Sequence, residues 1–254
     1  MTLIKTEFCS DCQNETEVYE IEIVGGEHKG ETMEWKKGCR CEEIQMANEE
    51  LKKRNHLKQE KMKKVFDRHS LINRDLQNAC FENYQPDNHR QDYAKRTAER
   101  YVEVFDIDDS KNLLMHGIYG VGKSHLAKAI ADGVMEKGYS SIFISVPKML
   151  RKIKSTYNKD SEVNEDEILT VLEDVDLLIL DDIGTEKRTD WTSERIYDII
   201  DSRQGKHTIY TTNLSPDELK TELGERNFSR VQNRDTSVLK IDGENNRLKD
   251  SREG

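Results

Sequence analysis

Long apolar runs are missing from this chain. Its longest stretch free of Asp, Glu, Lys and Arg, Asn112 to Gly122, has 11 residues, where a membrane-spanning helix needs roughly 20. The opening MTLIKTEF carries no apolar signal-peptide core. A soluble, cytoplasmic protein with no membrane partner is therefore expected. A basic excess is missing too: 40 Lys+Arg stand against 50 Asp+Glu, a net charge of −10. That excludes a protein held to duplex DNA mainly by phosphate neutralisation, so any nucleic-acid contact has to be local. No internal repeat and no low-complexity tract is found. Cysteine is scarce and odd in number, five in all. Four of the five form two close pairs, CSDC (Cys9, Cys12) and CRC (Cys39, Cys41), with 26 residues between them. An odd count in close pairs, without an export signal, suits a metal site better than a disulfide framework.

What is present divides into three parts. The 254 residues allow one large domain or two modest ones. Residues 1–68 read as an N-terminal metal-binding and helical partner-binding region, 69–88 as a linker, and 89–254 as the main domain. Within the first part, Val18 to Val24 alternates like a strand and closes on a Gly25-Gly26 turn. Two cysteine pairs that converge bring four thiolates to one tetrahedral ion, and Zn²⁺ is the default for such a set. CxC is tighter than the usual knuckle spacing, so His28 stands as a substitute ligand. Four protein ligands leave no open position, which makes the site structural. Cys80 is expected to pack. Residues 42–68 hold no Gly or Pro and are rich in helix formers, with Ile44, Ala47 and Leu51 at helical spacing. Between Leu51 and Arg68, eight basic residues face only Glu60 and Asp67. A solvated face and a basic surface for a partner or nucleic acid are equally compatible with that run.

From about residue 89, helical stretches alternate with short apolar runs at 113–116, 142–146, 177–180, 208–212 and 238–241. Buried parallel strands read this way, so the fold class is α/β with a five-stranded parallel sheet. The first run leads into Gly117-Ile118-Tyr119-Gly120-Val121-Gly122-Lys123-Ser124 and then a helical run starting at His125. This is GxxxxGKS between strand and helix, a loop whose backbone N–H groups turn onto phosphate oxygens. Lys123 would reach the β- and γ-phosphates and Ser124 would ligate Mg²⁺. LLILDDIG ends another run with two adjacent carboxylates. At the carboxyl end of such a sheet, a metal ion and a water offset the cost of burying them. Asp181 then serves the Mg²⁺ and Asp182 activates the water. Asn213, after the 208–212 run, either orients that water or caps the helix near Ser215-Pro216. Arg226 and Arg230 lie four apart on a probable helix face, suited to a transferring phosphoryl group or to surface ion pairs. In Lys187-Arg188-Thr189-Asp190-Trp191, a cationic pair suits a phosphate and an indole suits a stacked base.

Together these residues resemble the bacterial replicative-helicase loaders of the DnaC/DnaI family, within the AAA+ class that includes the IstB transposition ATPases. The resemblance runs from about residue 76 to 247 and rests on Phe81-Glu82-Asn83-Tyr84, GIYGVGKSHLAKAIA, SVPKML, LLILDDIG, Thr211-Thr212-Asn213 and GERNFSRV. It implies an ATPase that assembles with copies of itself, binds ATP and Mg²⁺, contacts single-stranded DNA and loads a hexameric replicative DNA helicase. A transposition-helper ATPase of the IstB type is the alternative. By resemblance, Asn213 falls on the sensor-1 position and Arg230 on the arginine finger that reaches a neighbouring subunit's ATP. Arg247 falls near the sensor-2 arginine, and Thr189 and Trp191 on the single-strand contacts. Gly117, Gly120, Gly122 and His125 complete the nucleotide loop. Many AAA+ proteins carry Glu where Asp182 stands, and the 13 residues after Ile241 are too few for the helical lid common in that class.

Charge is distributed unevenly. Residues 148–159 hold five basic side chains and no acid, while 160–182 hold ten acids and no base. The net −10 thus belongs to the segment that ends in Asp181-Asp182, which leaves room for local contacts elsewhere.

Overall fold

The computed structural model describes residues 1–66, 72–158 and 161–246. The chain forms two compact units, Met1–Arg54 and Asn55–Gly254.

The first unit is built on an antiparallel sheet in the order β1 (Thr2–Phe8), β2 (Glu15–Glu22), β3 (Thr32–Lys37). Tyr19 on β2 lies opposite Leu3 on one side and Trp35 on the other, and its ring is 5.9 Å from the Trp35 ring. The sequence pattern reveals β2 because its faces differ, with Thr16 and Val18 buried. It hides β1 and β3, whose residues are nearly all exposed, so no alternation marks an inner face. Helix α1 (Cys41–Val65) starts at the last cysteine with Glu42 and Glu43 in its first turn, where carboxylates suit the positive helix end.

The second unit begins within α1. Met62, Val65 and Phe66 are buried in its core, and Lys58 Nζ donates to Asp176 Oδ1 at 2.6 Å. A boundary at residue 68 was expected from composition. The compact unit instead starts at Asn55, because these apolar positions tie the end of the helix to the α/β core.

The remaining elements are α2 (His89–Glu103), β4 (Asn112–His116), α3 (Lys123–Glu136), β5 (Ser141–Ser145) and α4 (Val146–Ser155). After them come α5 (Glu165–Asp174), β6 (Leu177–Asp181), α6 (Asp190–Ser202), β7 (His207–Thr212), α7 (Pro216–Leu223), α8 (Glu225–Val231) and β8 (Thr236–Lys240). The strands pair in parallel in the order β5-β6-β7-β4-β8, so all five expected strands are present. Alternate strand residues feed two cores. Leu113, Met115, Ile179 and Ile209 pack with Ala94 and Ala98 of α2 and with Leu126 and Ile130 of α3. Leu114, Ile144, Leu180 and Tyr210 pack with Met149, Ile168, Ile196 and Leu219 from α4 to α7. Covering both faces explains why the strands read as unbroken apolar runs.

A buried cation fastens the amino ends of β6 and β7. Arg203 is 1% exposed, and its guanidinium donates to the carbonyls of Glu173, Val175 and His207. Burial lowers its pKa to about 10, and the carbonyls at the end of α5 supply the compensating negative potential. Among the described residues no helix is long and apolar enough to cross a membrane.

The order of the strands positions the site. After β4 the chain crosses to the far edge at β5 and returns through β6 and β7. The loops after β4 and β7 therefore part at the carboxyl end of the sheet, the place where open α/β sheets hold ligands.

Candidate nucleotide site and four-thiol centre

The loop Gly117–Gly122 connects β4 to α3 without a side-chain cap, which leaves the first N–H groups of α3 available to an anion. Gly122 has φ 94°, and a Cβ there would lie 2.4 Å from Cε2 of Tyr84. Gly120 has φ 78°, and its missing Cβ would lie 1.8 Å from Oδ1 of Asn245. Only glycine fits either position. Beside the loop is a cleft of about 600 Å³ lined by Tyr84, Gly120, Gly122, Lys123, Ser124, His125, Asp182 and Asn213 among others.

The predicted residues converge here. Lys123 is buried, and its Nζ donates to Asn213 Oδ1 at 2.7 Å and to the carbonyls of Gly117 and Ile118 at 2.8 Å each. Asn213 Nδ2 donates in turn to Asp182 Oδ1 at 3.3 Å. One chain of polar atoms thus joins the loop after β4, the end of β7 and the end of β6. Asn213 does not cap α7; Ser215 does, in a capping box with Glu218.

Asp181 is 3% exposed and accepts from the Thr211 hydroxyl at 2.7 Å. Burial and the neighbouring Asp182 push its carboxyl up to about 6, against the pull of hydrogen bonds from Thr211 and Ser124. Ser124 and Asp181 are thus in hydrogen-bond contact, two oxygen donors of the hard type that Mg²⁺ takes. A cation beside Asp181 favours the ionised carboxylate, so the donor set fits that ion. Asp182 sits at φ 58°, and its N–H donates to the Thr211 hydroxyl at 3.0 Å.

His125 lines the cleft and also contacts the segment before the main domain. Its Nε2 is 2.8 Å from the Cys80 carbonyl and its ring meets Tyr84 edge-on at 5.3 Å. Cys80 packs at this junction, half-buried. The region taken as a linker is therefore part of the cleft wall. Tyr84 is buried against the loop, with its hydroxyl 3.4 Å from the Val121 carbonyl. Asn246 is a further wall residue, whose N–H donates to the Gly120 carbonyl at 3.1 Å. Nothing in local sequence marks Asn246, because long-range packing alone brings it to the loop, and Tyr84 is marked only by its place in Phe81-Glu82-Asn83-Tyr84. Arg247 lies outside the described residues.

Arg230 is in the last turn of α8 and is not part of the cleft lining. It contacts α6 instead, with Nε donating to Asp201 Oδ1 at 2.6 Å.

The residues considered for single-strand contact lie together where the β6 loop enters α6. Thr189 is the N-cap of α6, in a reciprocal box with Thr192. Arg188 Nη1 donates to the Thr221 carbonyl at 2.8 Å. The Trp191 indole N–H donates to the Tyr157 hydroxyl at 3.0 Å, and the Lys187 carbonyl accepts from Thr192.

In the first unit the Sγ atoms of Cys9, Cys12, Cys39 and Cys41 all lie within 4.8 Å of one another. Zn–S bonds of about 2.3 Å in a tetrahedron place sulfurs about 3.8 Å apart, and the Cys12–Cys39 separation is 3.5 Å. The donor set fits zinc. Backbone N–H groups of Cys12 and Asp11 lower the Cys9 thiol, while hydrogen bonds between the neighbouring thiols raise Cys39 and Cys41. His28 pairs with Glu31 at 3.1 Å and is not in the cluster, so the substitute ligand is not needed.

A glycine-rich loop between strand and helix, with a carboxylate pair ending a neighbouring strand of a five-stranded parallel sheet, defines a P-loop ATP-binding protein of the AAA+ class. The family described as IstB-like ATP binding protein matches residues 38–254. Replicative helicase loader DnaC of Escherichia coli (strain K12) is 34% identical over 175 residues, covering 68% of this chain and 70% of that protein. The crystal structure of the DnaC helicase loader superimposes with TM-score 0.61 at 30% identity, covering 67% of this chain and 100% of that one. The crystal structure of DnaI gives 0.58 at 26% identity, covering 68% and 93%. The chain belongs to the family of IstB-like ATP-binding proteins and DnaC-type helicase loaders.

Proposed function

We propose that this chain is an ATP-dependent loader of a hexameric replicative helicase. The observation that carries the reading is the Lys123–Asn213–Asp182 chain of hydrogen bonds at the carboxyl end of the sheet, in a protein related to helicase loaders over two thirds of its length. The phosphates of ATP rest on the N–H groups of Gly120–Ser124, and Lys123 turns to the β- and γ-oxygens. Mg²⁺, held by Ser124 and Asp181, supplies charge neutralisation at those oxygens. Asp182 accepts the proton of the attacking water, and Asn213 orients that water between Asp182 and the γ-phosphate. Arg230 of one subunit stabilises the charge developing on the nucleotide of the next. The four-thiol unit and the start of α1 engage the helicase. Lys187 and Arg188 meet the phosphates of single-stranded DNA, the Thr189 hydroxyl contacts the strand and the Trp191 indole stacks on a base.

The test uses the full chain. Lys123→Ala is expected to weaken binding of a fluorescent ATP analogue at least 100-fold, with its melting temperature kept. The parent chain is expected to co-elute with the purified replicative helicase of its own organism. Failure of that complex with and without ATP would sink the loader reading. The name of the matched family favours a second reading, a helper of a transposase; co-elution with a transposase in the same experiment would select it.

A further inference from the structure

Two pairs of side chains face each other across α6 and α8. On α6, Tyr197 and Asp201 are four residues apart and share a face; on α8, Arg226 and Arg230 do the same. The Arg226 guanidinium carbon lies 3.5 Å from the centre of the Tyr197 ring, and that of Arg230 4.6 Å from it. Each nitrogen of Arg230 has a partner. Nε donates to Asp201 Oδ1 at 2.6 Å, Nη1 to the Arg226 carbonyl at 3.1 Å and Nη2 to the Tyr197 hydroxyl at 3.0 Å. A guanidinium has five N–H donors in one plane. Three are used here, which leaves one N–H donor on each terminal nitrogen.

That arrangement fixes a side chain that otherwise samples many rotamers. Its side chain is still 29% exposed. Both α6 and α8 are anchored around it. Asn227, 4% exposed, donates to the Ser193 carbonyl at 3.1 Å, and Ile196, Ile199, Ile200 and Val231 are buried in the core. Both helices thus anchor the side chain, and the donors it has left are of the kind that meet the oxygens of an anion.

We propose that Tyr197 and Asp201 are positioning residues for Arg230, holding its guanidinium plane so that its remaining donors meet the phosphates of a nucleotide bound by a neighbouring subunit. This rests on the reading of Arg230 as a finger acting between subunits. Asp201 fixes the rotation about the Nε end and Tyr197 supplies the surface beneath the plane. Arg226, closer to the same ring, fills the other half of the platform and keeps Tyr197 from rotating away.

The test measures ATP turnover as a function of ATP concentration, with the full chain assembled on the purified helicase and a dT₃₀ oligonucleotide. Asp201→Ala is expected to lower kcat about tenfold at unchanged KM, and Tyr197→Ala by a similar factor. Tyr197→Phe, which keeps the ring and loses one bond, should cost about twofold to threefold. Asp201→Asn, which keeps an acceptor oxygen, should recover part of the Asp201→Ala loss. Binding of a fluorescent ATP analogue to the unassembled chain and the melting temperature of each variant are the controls. If Arg230→Ala abolishes stimulated turnover while Asp201→Ala and Tyr197→Ala stay within twofold of the parent, the positioning role is wrong and the finger stands. If Arg230→Ala turns over ATP at the parental rate, the finger reading itself fails. If Asp201→Asn loses as much as Asp201→Ala while both melt more than about 5 °C below the parent, the contact is structural and the proposal is overturned.

Discussion

The two units of this chain solve the problem of staying folded in opposite ways. Among the described residues of Met1–Arg54, Val18 is the one buried apolar side chain, while Leu3, Ile4, Phe8, Met33, Trp35 and Ile44 are between 42% and 71% exposed. In Asn55–Gly254, Leu114, Met115, Leu126, Ile130, Ile144 and Leu178 are fully covered, on two faces of one sheet. At roughly 25 cal/mol per Å² of apolar surface removed from water, the larger unit has ample driving force and the smaller one very little. What the smaller unit has is four thiols within reach of one ion. The difference separates a fold maintained by burial from one whose four thiols can be cross-linked by a metal ion.

The sharpest way to break that comparison is to remove the ion. Cys9→Ser combined with Cys39→Ser is expected to take metal analysis from one zinc per chain to none. It should also abolish hydrogen-exchange protection of β2 while leaving that of β6 intact. Structural zinc contributes about 10–16 kcal/mol in small modules, far more than one buried valine. Persistence of β2 protection without metal would show that the first unit folds by burial after all.

A smaller effect is expected where α1 joins the second unit. Burial raises the Asp176 carboxyl, but bonds from Lys58 and from the N–H and hydroxyl of Ser140 outweigh it and hold the group below its ordinary value of 3.8. A carboxylate lowered in this way contributes stability that is present above the unfolded pKa and lost as pH falls through the folded one. Asp176→Asn is expected to cost about 2 kcal/mol in urea unfolding at pH 7. That difference should shrink as the pH is taken below 4, whereas an equal cost at both pH values would remove the charged pair from the account.

The smallest effect belongs to a helix end. Thr189→Ala removes the N-cap of α6 and should lower stability by about 1 kcal/mol. If its affinity for a dT oligonucleotide falls while a second cap-weakening change, Thr192→Ala, leaves affinity alone, the hydroxyl contacts DNA in its own right.

The contrast between the units also governs what could be read from sequence. In the second unit, burial on both sheet faces makes each strand an uninterrupted apolar run, so the five strands and the chemistry at their ends were legible. Asp181, Asp182 and Asn213 converge because they end or directly follow such runs, and Lys123 joins them at the end of the glycine loop that follows β4. In the first unit only β2 has an inner face, and β1 and β3 carry no comparable pattern. The cysteine pairs were legible because metal chemistry depends on residue type and spacing rather than on burial. Tyr84, Asn246 and the Tyr197–Asp201 platform were not, since each meets its partner only through the tertiary fold. The end of the linker illustrates the cost: Asn83-Tyr84-Gln85-Pro86-Asp87 has turn composition, yet Tyr84 occupies the space that Gly122 leaves for it.

The backbone at Asp182 has a consequence for how this enzyme class is probed. A non-glycine residue at φ 58° is in the left-handed region, which aspartate and asparagine tolerate far better than residues with longer side chains. The torsion angle therefore favours a short carboxylate at this position. Asn at this position preserves shape and torsion while deleting the charge. Glu, the exchange usually regarded as mild, alters reach and backbone preference together, so a defect in that variant would confound two causes that the Asn variant keeps apart.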